Sequence, residues 1–226
     1  MKILLIDNSI EHKDYQPEKH WEPHFIHPFD LFRGSHGKLP ADIDEYSHII
    51  ISGSEASIHK DFDWIPAQEE LIRKAVAADK AIFGSCYGHQ MIVRALFGKK
   101  CLKERKYPEV GWVEVNILRN DPVLGRSGQV VHCYSLHYDE VTNLPEDKTE
   151  IIASNRECPV HAFRLKGKNV WGIQAHPEIN IEDGLKTTKS LGKKAGENKK
   201  YFDYALTQPP KDSGWIIQIM QDFQKA

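Results

Sequence analysis

The sequence predicts a doubly wound α/β fold, a mostly parallel sheet flanked by helices with a smaller antiparallel strand layer. Three observations predict it: short apolar runs of strand length alternate with amphipathic helical stretches, a cysteine between two glycines marks a tight strand-to-helix turn, and short, partly alternating segments follow. Residues 2–7 open the chain as a strand. Residues 9–40, rich in histidine, proline and charge, read as a long connection with one short helix. Residues 48–51 form the next parallel strand. The helix over 64–78 turns Ile65, Leu71, Ile72, Ala75 and Val76 to the sheet and Glu69, Glu70, Arg73 and Lys74 outward. Residues 81–85 are a buried strand, and 87–97 a helix with an apolar stripe. Segments 112–118, 130–134, 150–153 and 161–166 read as a strand layer extending the sheet. Residues 170–175 form a further buried strand. Past 180 the lysine-rich segment 181–200 reads as a surface helix or a mobile segment, two prolines break the chain within 208–214, and 215–223 close it as an amphipathic helix. The expected organisation is one domain over 1–226, with a core over about 2–180 and a helical extension over 181–226.

The heptad Gly84-Ser85-Cys86-Tyr87-Gly88-His89-Gln90 carries the most chemical information. A turn this tight crowds the backbone, and residues without a Cβ fit best at its flanks. It places the Cys86 sulfur at the carboxyl end of a parallel sheet, aimed at solvent, at the N-terminus of a helix whose unpaired amides favour a thiolate. The Tyr87 amide points where an oxyanion would form. Taken alone, the turn is equally compatible with a small buried cysteine beside a helix start.

The choice depends on a base. His176 ends the strand over 170–175, on the same sheet edge as Cys86, and Pro177 stops a helix from running through it so that Glu178 folds back toward the imidazole. A carboxylate on one ring nitrogen fixes the tautomer and leaves the other to accept a thiol proton. Cys86, His176 and Glu178 together have the types and placement of nucleophile, base and orienter.

With these residues the chain resembles a class I glutamine amidotransferase, and among these the stand-alone branch similar to the amidotransferase half of GMP synthetase. The resemblance also runs through Ile49-Ile50-Ile51-Ser52-Gly53-Ser54, Pro108-Glu109-Val110-Gly111-Trp112, His137-Tyr138-Asp139-Glu140-Val141, Leu144-Pro145, Cys158-Pro159 and Ala162-Phe163-Arg164, and covers roughly residues 2–180. It implies a flavodoxin-like fold and acylation of Cys86 by the γ-carbonyl of a glutamine-like substrate. His176 would protonate the leaving ammonia and then activate water, and Glu178 would orient His176. Gln90 would help hold the substrate, the Gly53-Ser54 turn would lie against it and supply the second oxyanion amide from Ser54, and the backbone of Leu136, His137 and Tyr138 would meet its amino-acid end. No cofactor is implied.

Three positions depart from the family pattern. Ser54 replaces a glycine, and a Cβ there resists positive φ, which would misdirect the oxyanion amide. Leu136 and Tyr138 stand where tryptophan and glycine usually flank the histidine, which reshapes the amino-acid pocket. Ala175 replaces a phenylalanine.

At 226 residues the chain has no room for a second catalytic domain, and its net charge of -2 with interspersed signs marks neither a nucleic-acid groove nor an anionic-membrane face. The opening apolar run is too short for a signal peptide or a span, so a cytoplasmic protein is expected. Cys86, Cys101, Cys133 and Cys158 form no C-x-x-C pair. The last three read as core fillers, and Pro23 and Pro28 interrupt the spacing of His20, His24 and His27 that a metal site would need. His89 is expected to face away from the sulfur, and the run Lys193, Lys194, Lys199, Lys200 to be a solvated face. The expected activity is a glutaminase releasing ammonia for a separate synthetase subunit. The alternatives are a γ-glutamyl peptide or amide hydrolase needing no partner, and, in another class, a catalytically weak binding or regulatory module.

Overall fold

The computed structural model describes residues 1–13 and 15–226; Asp14, within the connection over 9–40, lies outside them. The strands are β1 (Ile3–Asp7), β2 (Phe29–Arg33), β3 (His48–Ile51), β4 (Ala81–Ser85), β5 (Leu102–Ile117), β6 (Val130–Val141), β7 (Thr149–Ser154), β8 (Ala162–Leu165) and β9 (Val170–Ile173). The helices are α1 (Pro17–Trp21), α2 (Ile65–Ala77), α3 (Tyr87–Phe97), α4 (Ile181–Gly192), α5 (Lys199–Thr207) and α6 (Trp215–Phe223). The strands form one sheet in the order β2-β1-β3-β4-β9-β8-β7-β5-β6. β2, β1, β3, β4 and β9 run parallel, and the last four are joined through antiparallel pairs. The strand layer read from the sequence therefore continues the parallel sheet.

Period-two alternation divides the apolar side chains between the two faces. Leu4, Ile6, Ile49, Ile51 and Ile82 pack with Ile65, Ile72, Met91 and Ile92 of α2 and α3. Ile3, Leu5, Ile50, Phe83, Trp171 and Ile173 pack with Trp21, Trp215, Ile219 and Phe223 of α1 and α6. This double cover explains why the central parallel strands read as continuous apolar runs. Cys101, Cys133 and Cys158 are buried, as expected of core fillers. No helix among the described residues is long and apolar enough to cross a membrane.

Four segments differ from the sequence reading. The connection over 9–40 contains the strand β2, whose five residues are only half-buried because it is the sheet edge and has no strand beyond it. β5 begins at Leu102 instead of Trp112, because the charged stretch after Leu102 still pairs with β6 across an irregularity between Glu104 and Glu109. β6 continues to Val141, so Leu136, His137 and Tyr138 belong to a strand. Past Glu178, Gly184 of α4 packs against Trp112 and Tyr134, and Gly192 against Phe202 of α5, so this segment is a packed helical pair.

Candidate active site

The turn after β4 is as tight as its sequence implies. Cys86 has φ 49° and ψ -106°, between β4 and the first residue of α3. A non-glycine residue at such an angle costs of order 1–3 kcal/mol. Its neighbours show why the turn needs glycine: a Cβ on Gly84 would lie 2.5 Å from the Gly88 carbonyl carbon, and one on Gly88 would overlap the Ile51 carbonyl oxygen. The Cys86 N–H donates to the Ile173 carbonyl at 2.8 Å, fixing the turn to the end of β9. One expectation is corrected here. The Cys86 side chain is not aimed at open solvent; the residue is 5% exposed and faces a half-open cavity, because Tyr15 and residues of α4 and α5 wall the sheet edge. The first amides of α3, including that of Tyr87, have no intrahelical acceptor.

β4 and β9 are neighbours, so His176 comes to the same edge. Its backbone N–H donates to the Tyr134 carbonyl at 2.8 Å, and the Ile179 N–H returns to the His176 carbonyl at 3.2 Å, closing the turn around Pro177. Within that turn His176 Nδ1 donates to Glu178 Oε1 at 2.8 Å, and both residues are buried. The imidazole and the Cys86 thiol line the same cavity. Burial alone would lower the imidazole pKa, but the nearby Cys86 and the Glu178 carboxylate outweigh it and raise it to about 10. Burial likewise opposes ionisation of Glu178, yet the His176 charge and hydrogen bonds from His176 and Tyr15 hold its pKa below the usual carboxylate value. The Cys86 thiol lies 3.7 Å from the Leu136 carbonyl, to which it donates.

The cavity beside the thiol measures about 440 Å³ and is lined by Tyr15, Ser54 to Ser57, Cys86, Gln90, Glu104, Tyr134, Leu136 to Asp139, His176 and Ile179, with Thr187, Leu191, Lys194, Ala195 and Phe202 from α4, α5 and the turn between them. Ser54, Gln90, Leu136, His137 and Tyr138 thus reach it. Gln90 also braces the wall, donating to the Asp139 carbonyl at 2.7 Å and Gln174 Oε1 at 3.1 Å. Gly53 lies behind the cavity, against the imidazole: a Cβ there would meet His176 Cε1 at 2.5 Å. Ser54 is outside the left-handed region, so its Cβ does not conflict with the backbone; its Oγ accepts from the Ala56 N–H at 3.0 Å. His89 is fully buried against Gly172 and Phe163, and burial pushes its pKa down to about 3. Lys193, Lys194, Lys199 and Lys200 are all exposed, as expected of a solvated face, and Lys194 also reaches the cavity.

Sequence reasoning gave no role to three residues here. Tyr15 donates its hydroxyl to Glu178 Oε1 at 2.7 Å, and Ser85 donates to the same oxygen at 3.3 Å. Glu109, buried behind the cavity wall, accepts from Ser135 at 2.8 Å and Asn155 at 2.8 Å, and faces His137 at 3.0 Å and His161 at 3.5 Å. Burial opposes its charge, but the histidine hydrogen bonds and charges hold its carboxyl far below the usual range. The Pro108-Glu109-Val110-Gly111-Trp112 motif was the available signal for Glu109. Tyr15 had none, since nothing periodic surrounds it.

The family model for glutamine amidotransferase class-I matches residues 34–188. γ-Glutamyl peptidase 3 of Arabidopsis thaliana is 36% identical over 162 residues, which cover 68% of this chain and 64% of that protein. The chain thus matches just under two thirds of that relative's length. The glutamine-hydrolyzing GMP synthase of Porphyromonas gingivalis strain W83 is 34% identical over 161 residues, 70% of this chain and 29% of that one. The crystal structure of a glutamine amidotransferase from Thermotoga maritima superposes with a TM-score of 0.79 over 100% of this chain and 96% of that one at 17% identity, a likeness of fold. With most of its sheet, the cysteine turn and the segment carrying His176 inside the matched residues, the chain belongs to the class-I glutamine amidotransferase family.

Proposed function

We propose that the protein hydrolyses a γ-glutamyl amide through a thioester on Cys86. The observation that carries this reading is the buried His176 imidazole, held by Glu178 at 2.8 Å and lining the same cavity as the Cys86 thiol. In this reaction the thiolate attacks the γ-carbonyl carbon, and the oxyanion is held by the Tyr87 N–H at the start of α3 and by the Ser54 N–H. His176, charged by the thiol proton, delivers that proton to the leaving nitrogen as the C–N bond breaks. The neutral imidazole then takes a proton from water, whose oxygen attacks the thioester carbonyl. Glutamate leaves and the thiol is restored. Glu178 keeps Nδ1 protonated throughout, so that Nε2 does the proton transfer.

With glutamine as the substrate the released nitrogen is ammonia, passed to a separate synthetase. The second reading, a γ-glutamyl peptide whose leaving group is an amino-acid amine, is favoured by the cavity. Its volume of about 440 Å³ lies within the roughly 300–1,000 Å³ of sites that enclose drug-sized ligands. Free glutamine would leave much of it to water, whereas Leu191, Ala195 and Phe202 offer an apolar wall to a larger leaving group. A catalytically weak binding module is the reading of another class, since Ser54 stays outside the left-handed region that the replaced glycine can adopt. Ammonia release from glutamine measured beside amine release from a panel of γ-glutamyl dipeptides tests the proposal. Turnover abolished by Cys86→Ala is expected, and no turnover of any member overturns it.

A further inference from the structure

We propose that Tyr15 is a positioning residue that tunes the His176–Glu178 pair: its hydroxyl holds the carboxylate oxygen that accepts the imidazole Nδ1–H and limits how strongly that oxygen stabilises the imidazolium. The inference rests on the reading of Cys86 and His176 given above. Tyr15 comes from the N-terminal connection, 163 residues from Glu178 in sequence, and donates to Glu178 Oε1 at 2.7 Å. His176 Nδ1 donates to the same atom at 2.8 Å, and Ser85 Oγ at 3.3 Å. A carboxylate oxygen shared among several donors has less charge to offer each one.

The ring of Tyr15 is placed as firmly as its hydroxyl. It meets the His176 ring edge-on at 5.5 Å and stacks on His20 at 5.6 Å, and the residue is 7% exposed. Burial first, and then the Glu178 charge, push the phenol pKa well up, so the hydroxyl remains a donor at every working pH. The groups facing His176 are Cys86 from the turn before α3, Glu178 from its own turn, Tyr15 from the N-terminal connection and Tyr134 from β6. His20 of α1 interacts at longer range, with Asp183 of α4 beyond it at 3.8 Å from the His20 ring. His24 also feels the Glu178 charge.

Without the Tyr15 hydroxyl, Glu178 stabilises the imidazolium more strongly, and His176 becomes a weaker acid toward the leaving nitrogen. The test is the pH dependence of Cys86 alkylation by iodoacetamide, followed by peptide mass spectrometry, on the full chain. That rate has an upper step where the imidazolium loses its proton, and needs no substrate. Tyr15→Phe, which keeps the ring, should move this step up by about half to one pH unit. It should lower kcat by roughly threefold to tenfold with KM within about threefold. Ser85→Ala, removing the longer bond, should move the step in the same direction by less, and answers the question should Tyr15→Phe fail to fold. A step that stays in place or moves down in a folded variant overturns the proposal. Loss of selective Cys86 alkylation in the unmutated protein would instead overturn the functional reading beneath it.

Discussion

Gly53→Ala tests the proposed alignment of the imidazole without touching any group that carries a proton. The added methyl would lie 2.5 Å from His176 Cε1 and 3.4 Å from both ring nitrogens. Comfortable carbon contacts are about 3.5–4.0 Å, so ring or backbone must yield by about 1 Å. The backbone is anchored: the Ser52 N–H donates to the Ile6 carbonyl at 3.0 Å, Ser52 Oγ donates to the Gly53 carbonyl at 3.0 Å, and the Asn8 N–H donates to Ser52 Oγ at 2.9 Å. Gly53 also lies outside the left-handed region, so alanine adds no torsional strain. The ring therefore moves, away from thiol and carboxylate. Overpacking of this kind costs roughly 1–3 kcal/mol of stability. Displacing a reacting group by about 1 Å costs on the order of 100-fold in rate, about 2.7 kcal/mol of barrier. The assay is kcat/KM on whichever γ-glutamyl amide turns over, with a thermal melt to show that the variant is folded. A folded Gly53→Ala protein retaining kcat/KM within about threefold would refute the reasoning.

Cys86 should alkylate faster than the other three thiols, because burial raises the pKa of Cys101, Cys133 and Cys158; labelling that does not discriminate, read by peptide mass spectrometry, would contradict the proposed nucleophile. Cys86→Ala should remain folded, and Cys86→Gly should melt higher than Cys86→Ala, since only glycine relieves φ 49° at no steric cost; the expected gain is about 1 kcal/mol, and the reverse order in calorimetry would count against a strained turn. Glu109→Gln should destabilise the protein by roughly 2 kcal/mol at neutral pH by weakening the buried hydrogen bonds that the carboxylate makes with Ser135, Asn155 and His137. The Glu109 pKa is lowered on folding, so its contribution is present above the ordinary value of 4.5 and is lost as pH falls through the depressed folded value. The variant's stability should accordingly depend less on pH below 4.5 than that of the parent, and parallel acid titration curves would disprove this.

What the sequence made legible was local. Gly84 and Gly88 announced a turn whose steric demands involve only the nearby backbone and the Ile51 carbonyl of the adjoining strand, and Pro177 announced the fold-back of Glu178. The central strands read clearly because two helical layers bury them on both faces. β2 did not, since an edge strand buries too little to write a strong pattern. Tyr15 and Glu109 were obscured for a different reason: the partners that give them meaning, Glu178 and the pair His137 and His161, are remote in sequence and meet them only in the folded chain. The cysteine's burial followed the same logic, because the helices that roof it come from the segment with the weakest periodicity.

The most direct measurement is acid quenching of the protein during turnover of a γ-glutamyl amide, followed by peptide mapping. A γ-glutamyl adduct confined to the peptide containing Cys86, and absent after Cys86→Ala, is the predicted result. Continued turnover with no adduct, or with the adduct on another cysteine, would contradict the thioester and with it the roles proposed for His176 and Glu178.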